Sequence, residues 1–78
     1  IMDEFPVIDL RGLQCPSPLV KLNEDIVAIP SGGEFDALAD DPAFELDVEA
    51  WCEFTGNELI HVEALDSDVR ARIRKLSS

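Results

Sequence analysis

Val7-Ile8-Asp9-Leu10-Arg11-Gly12-Leu13-Gln14-Cys15-Pro16-Ser17-Pro18-Leu19 compresses a strand, a turn and the start of a helix into one short stretch. Phe5 to Leu10 reads as a short strand. Pro6 is confined to its entry, because proline has no N–H for a sheet ladder. Arg11 to Gln14 is a turn. From Pro16 to about Ile29 the apolar residues Leu19, Leu22, Ile26 and Ile29 fall at i, i+3, i+7 and i+10, one stripe of a helix. Lys21, Asn23, Glu24 and Asp25 take the other side. Pro30-Ser31-Gly32-Gly33 ends the helix and turns the chain.

Downstream, Glu34 to Asp40 is a second strand with Phe35, Ala37 and Ala39 on one face. Asp41-Pro42 opens a second helix, since Asp caps and Pro suits the first helical position. Phe44, Val48, Trp51 and Cys52 then form an apolar stripe that stops before Gly56, a C-cap residue. The last third is a hairpin: Ile60, Val62 and Ala64 alternate on one strand, Val69, Ala71 and Ile73 on the next. For both apolar sets to share a face, paired residue numbers must sum to an odd value, as for 64 with 71 or 64 with 69. The loop around Asp66-Ser67-Asp68 is therefore expected to have two or four residues, not three. The order β-α-β-α-β-β predicts an α+β fold: a two-layer α/β sandwich, with a four-stranded mixed sheet and both helices on one face. One domain, 5–76, is expected.

Seventy-eight residues leave no room for a second core, and a chain of this size buries only roughly 60% of its unfolded surface. A deep cleft around a large substrate is not expected; chemistry at an exposed point, with a partner, is. Seventeen acidic residues against six basic ones give a net charge of −11. That field repels phosphate backbones, so direct nucleic-acid binding is not expected. It either keeps a small protein soluble or favours a partner with a basic surface. No apolar run approaches the ~20 residues of a membrane span. Ile1-Met2-Asp3-Glu4-Phe5-Pro6 lacks the basic and apolar regions of a secretion signal, so a cytoplasmic monomer with free thiols is expected. Two Cys 37 positions apart and one His give no metal-ligand spacing; neither a metal nor a cofactor is expected.

Cys15 stands at the expected N-cap of the first helix. The free N–H groups and dipole of a helix start amount to roughly half a positive charge, which favours an anion. A Cys there titrates below its free value of ~8.5, and the thiolate is the nucleophile. Pro16 and Pro18 carry no N–H, so Ser17 is the one backbone donor among the first three helical residues. So few donors leave the sulfur loosely held and able to leave again, as a carrier requires. From these residues alone a functional Cys and a small residue at a turn weigh equally.

Arg11-Gly12-Leu13-Gln14-Cys15-Pro16-Ser17-Pro18-Leu19, with its Gly-Leu-x-Cys-Pro-x-Pro core, resembles the signature of the TusA/SirA-like sulfur carriers. In register follow Gly33-Glu34, Ala39-Asp40-Asp41-Pro42, Asp47 with Trp51, Gly56-x-Glu58-Leu59 and Ile73-Arg74-Lys75, so the likeness runs from Val7 to Lys75. It implies the same two-layer sandwich. It also implies that Cys15 accepts sulfane sulfur from a cysteine desulfurase or another sulfurtransferase and relays it to an accepting protein. Gly12, Pro16, Ser17 and Pro18 are the supporting residues, and Arg11 either adds positive charge nearby or is simply a surface residue of the turn. Family outlets are tRNA 2-thiouridine formation, molybdenum cofactor supply and sulfur oxidation. A regulatory or interaction module of the same fold, without transfer, is the alternative. The strand 34–40 is more acidic and alanine-rich than is usual in the family.

Other residues have simpler readings. Cys52, on an apolar stripe, reads as a small core residue, although a Cys15–Cys52 redox switch is conceivable. Asp40-Asp41 is a carboxylate pair or, more simply, a helix cap at Asp41. Arg70, Arg72 and Arg74 alternate on the face away from the apolar set, either as a solvated face opposite Glu63 or as a docking stripe, with Lys75 beside them. His61 shares that face, and Trp51 is a core residue.

Overall fold

The computed structural model describes residues 6–13 and 17–76. Its elements are β1 (Val7–Asp9), α1 (Ser17–Asp25), a 3₁₀ turn (Ile26–Ala28), β2 (Glu34–Ala39), α2 (Phe44–Thr55), β3 (Glu58–Leu65) and β4 (Asp68–Arg74). The β-α-β-α-β-β order expected from the sequence is present. Phe5, placed in the first strand by sequence, lies outside the described residues, as do Cys15 and Pro16.

The four strands lie in the order β1-β2-β4-β3. β1 runs parallel to β2, and the other two pairings are antiparallel, so the sheet is mixed. The parallel pair needs a crossover, which α1 supplies. Side chains alternate across the pleat. On the inner face Ile8 of β1, Phe35, Ala37 and Ala39 of β2, and Val69, Ala71 and Ile73 of β4 are all buried. The helices cover this face with Leu22 of α1 and Phe44, Val48, Trp51 and Cys52 of α2, making one core cluster. Leu19 and Ile26 complete the predicted stripe at its margin, and Ile29 is buried just beyond. The small Ala37, Ala39 and Ala71 suit the centre of the sheet, where the helices lie over it.

The helix boundaries differ from expectation at the end of α1 and at the start of α2. α1 stops at Asp25, and the chain tightens through the 3₁₀ turn to Ile29, which is extended (φ −91°, ψ 127°). Pro30 explains this, because the residue before a proline is driven out of the helical region. The regular part of α2 starts at Phe44, two residues after Pro42. Asp41 still shapes the entry: its Oδ1 accepts the Ala43 N–H (3.0 Å) and its carbonyl accepts that of Phe44 (2.9 Å). At the other end Gly56 takes φ 81° and donates to the Cys52 carbonyl, a left-handed C-cap.

The hairpin has the two-residue loop permitted by the register argument. Leu65 pairs with Asp68 and Ala64 with Val69, leaving Asp66 and Ser67 at the tip. One expectation fails in β3. A bulge between Leu59 and His61 sets Leu59 opposite Ile73, so Leu59 rather than Ile60 packs against the core; Ile60 remains 37% exposed. Ala64 is exposed as well. The bulge turns Glu58 to the outer face, where its Oε1 accepts from Arg74 Nη1 at 2.9 Å.

Among the described residues no helix covers the outer face. Arg70, Arg72 and Arg74 line it as expected, but their main partners lie on β2. Asp36, 4% exposed, accepts from Arg70 Nε at 3.0 Å and from Arg72 through both carboxylate oxygens. Arg74 bridges Glu34 (2.8 Å) and Glu58. Glu63 faces Arg70 in register. The stripe is thus largely internal charge pairing. Lys75 does not belong to it: its Nζ donates to the carbonyls of Ile26 (3.1 Å) and Ile29 (2.8 Å), at the far end of the first helical segment.

Candidate functional site

The signature segment leaves the sheet at the end of β1. Leu10 donates its N–H to the Leu38 carbonyl (2.6 Å), which carries the β1–β2 pairing one step further, and the Leu13 N–H returns to the Leu10 carbonyl (3.4 Å). Gly12, at φ 87°, makes the bend in a region that side chains rarely adopt. The turn is held from both sides by carboxylates. Asp9 accepts the Arg11 N–H (3.1 Å) and takes the guanidinium in two bonds of 2.9 Å. Asp40, at the exit of β2, accepts the Gly12 N–H with both oxygens at 3.1 Å.

These contacts fix the local electrostatics. The side-chain hydrogen bond from Arg11 draws the Asp9 carboxyl down from 3.8 to about 2, and Asp9 in turn raises Arg11. The Arg11 charge named from sequence as a support is therefore shared with Asp9. Asp40 and Asp68 add weaker attraction to the same guanidinium. A depression of about 390 Å³ lies between the hairpin tip and the start of α2, lined by Asp40, Glu45, Asp66 and Asp68 among others. This edge of the sheet is strongly anionic.

After the undescribed residues 14–16, α1 begins at Ser17, which is exposed; Pro18 is buried and anchors the first turn. That turn contains no acidic residue, whereas the first turn of α2 carries Glu45 and Asp47. Of the six site residues named from the sequence, Arg11, Gly12, Ser17 and Pro18 are placed: two in the turn, two at the helix start. Cys15 and Pro16 lie between them, outside the described residues.

The rival residues settle into structural places. Cys52 is a free thiol, 2% exposed, and burial pushes it up to about 11. Trp51 is a core residue whose indole N–H donates to Asn23 Oδ1 at 2.9 Å. His61 is exposed, opposite Arg72. Asp40 and Asp41 each accept a backbone N–H; Asp41, expected as the helix cap, lies two residues before the observed N-cap Ala43 and accepts its N–H. The Asp9–Arg11 and Asp40–Gly12 contacts were missed in the sequence. The i, i+2 spacing of opposite charges signals the first; nothing local signals the second, which spans 28 positions.

A model of the sulfurtransferase TusA family matches residues 7–75, nearly the whole chain. The chain belongs to this family. Among TusA relatives, "Sulfur carrier protein TusA" of Pseudomonas syringae pv. syringae (strain B728a) is 34% identical over 70 residues, covering 90% of this chain and 83% of that protein. The protein of the same name from Pseudomonas syringae pv. tomato (strain ATCC BAA-871 / DC3000) is 35% identical over 71 residues, covering 91% and 84%. A longer Aquifex aeolicus (strain VF5) protein is 37% identical over 74 residues; they are 95% of this chain but only 38% of the Aquifex protein. The family places this TusA-like chain in sulfur transfer. No helix among its described residues is long and apolar enough to cross a membrane.

Proposed function

We propose that this protein carries sulfane sulfur as a persulfide on Cys15 and relays it between two partner proteins. One observation carries the reading. Cys15 comes two residues before a helix whose first turn bears no acidic side chain, in a chain of net charge −11. The positive end of α1 is thus left without an anion of its own, and a thiolate or persulfide anion at the preceding Cys fits that vacancy in charge. Arg11 does not supply the counter-charge, being paired with Asp9. Cys52 is no competitor, since burial keeps its thiol protonated at neutral pH.

The transfer is an exchange without net oxidation. The Cys15 thiolate attacks the outer sulfur of a donor persulfide, the donor's S–S bond breaks, and the donor cysteine leaves as a thiolate. A new S–S bond now sits on Cys15. An acceptor thiolate then attacks the outer sulfur in the same way and Cys15 leaves. A cysteine desulfurase or another sulfurtransferase fits as donor, and a thiol-bearing protein as acceptor.

Incubation with a cysteine desulfurase and cysteine, followed by intact-mass measurement, tests this. The expected result is a gain of one sulfur atom, removed by reductant and absent in Cys15→Ala. No gain, while the same desulfurase loads another acceptor, overturns the carrier reading in favour of a docking module of this fold.

A further inference from the structure

We infer that Asp40 is a positioning residue for sulfur transfer at Cys15, a step that rests on the carrier reading above. Its carboxylate spans 28 positions to receive the Gly12 N–H with both oxygens at 3.1 Å. An exposed turn amide has water available and needs no such partner. An exposed charge-assisted bond also adds little to stability, so stability alone is a weak reason for it. What the bond does is geometric. It pins the middle of the signature turn to the exit of β2, the strand beside β1 in the sheet.

The neighbouring clamp strengthens the case. Asp9 holds Arg11 by its backbone N–H and its guanidinium, so consecutive residues of the turn are tied to two adjacent strands. Gly12 at φ 87° aims its N–H towards Asp40 at a bend that other residues adopt only with strain. Cys15 comes three positions after Gly12, a reach of at most about 11 Å. A turn fixed at Gly12 therefore limits where the reactive residue can be offered to a large partner. Transfer between two proteins needs the attacking and attacked sulfurs aligned within a narrow range, and misplacement by about 1 Å can cost up to about 100-fold. A small alkylating reagent makes no such demand.

The test compares Asp40→Ala, Asp40→Asn and Asp40→Glu with the wild-type chain. Each is loaded by a cysteine desulfurase charged with cysteine and, separately, alkylated with iodoacetamide. The Gly12 amide resonance reports the bond itself. Asp40→Ala is expected to slow loading about 10-fold, with iodoacetamide alkylation within about 2-fold of wild type, and to shift the Gly12 amide. Asp40→Asn keeps an acceptor oxygen at the same reach and is expected to load within about 3-fold of wild type. Asp40→Glu keeps the charge but displaces it, and is expected to load slowly. Loading of Asp40→Ala at the wild-type rate overturns the inference. So does rescue by Glu and not by Asn, or an equal loss in alkylation. If Asp40→Ala does not fold, the Asn and Glu pair decides. A wild-type chain that takes no sulfur instead removes the carrier reading itself, a result seen before any Asp40 variant is measured.

Discussion

Trp51 reaches across the helix layer and gives its indole N–H to Asn23 Oδ1 at 2.9 Å, joining α2 to α1. Trp51 is 6% exposed, so its indole N–H depends on this acceptor. Asn23→Ala is expected to cost about 1–3 kcal/mol, the penalty of a buried donor left unmatched. Asn23→Asp, which keeps an acceptor, is expected to cost less. Urea unfolding followed by the fluorescence of this single tryptophan measures both. Equal midpoints for wild type and Asn23→Ala would sink the claim.

Asp36 makes a pH prediction. Burial alone raises its pKa, but hydrogen bonds and charge from Arg72 and Arg70 more than reverse this, leaving it below the ordinary carboxylate value. A group lowered on folding stabilises the protein fully above its unfolded pKa, about 3.9, and loses that contribution as pH falls through the folded value. Wild type should therefore lose stability steadily below about pH 4. Asp36→Asn removes the carboxylate that Arg70 and Arg72 both bond and is expected to cost about 2–4 kcal/mol at neutral pH, discounted because Arg70 is 41% exposed. Its stability should vary less with pH in the acid range. A parallel acid slope in the variant would point to other carboxylates.

The two thiols should separate cleanly. With Cys52 pushed up to about 11, iodoacetamide at pH 8 is expected to add one group to the native protein, at Cys15. Cys15→Ser should take none until denaturant exposes Cys52, and then one. Read by mass spectrometry across pH, Cys15 alkylation should show an apparent pKa below ~8.5. A value at or above that figure contradicts stabilisation of its anion by the start of α1.

Gly56 isolates the cost of backbone conformation. It sits at φ 81°, and an added Cβ would meet nothing within 4 Å. Gly56→Ala is therefore expected to lose about 1–2 kcal/mol from left-handed strain alone. For a chain of this size that is a fall in Tm of roughly 4–16 °C. An unchanged Tm would mean that the C-cap relaxes without cost.

What the sequence revealed follows range. The stripes of Leu19, Leu22, Ile26 and Ile29 and of Phe44, Val48, Trp51 and Cys52 are local periodicities; all but Leu19 and Ile26 are buried, and those two pack at the core's margin. The hairpin register was constrained because a one-residue slip would have turned Ile73 and its neighbours outward. The bulge at β3 was hidden, since it shows only in strand pairing, as does the Glu58–Arg74 ion pair beside it. Asp36 was equally opaque: it shares one strand with Phe35 and Ala37, and its arginines became visible only once β4 proved to be the neighbour of β2. Around the candidate site, Arg11, Gly12, Ser17 and Pro18 could be named from one continuous motif. Asp40 enters from a distant segment, through the fold.

Lys75, just past β4, has an unexpected reach. By bonding the Ile26 and Ile29 carbonyls, it moors the far end of the helical segment whose other end follows Cys15. Trimming the chain back past this lysine would cast off that mooring without touching the signature motif. A C-terminal tag that competes for the ammonium would do the same. Preparations that differ only in how far they run past β4 are then expected to differ in how firmly α1 is seated.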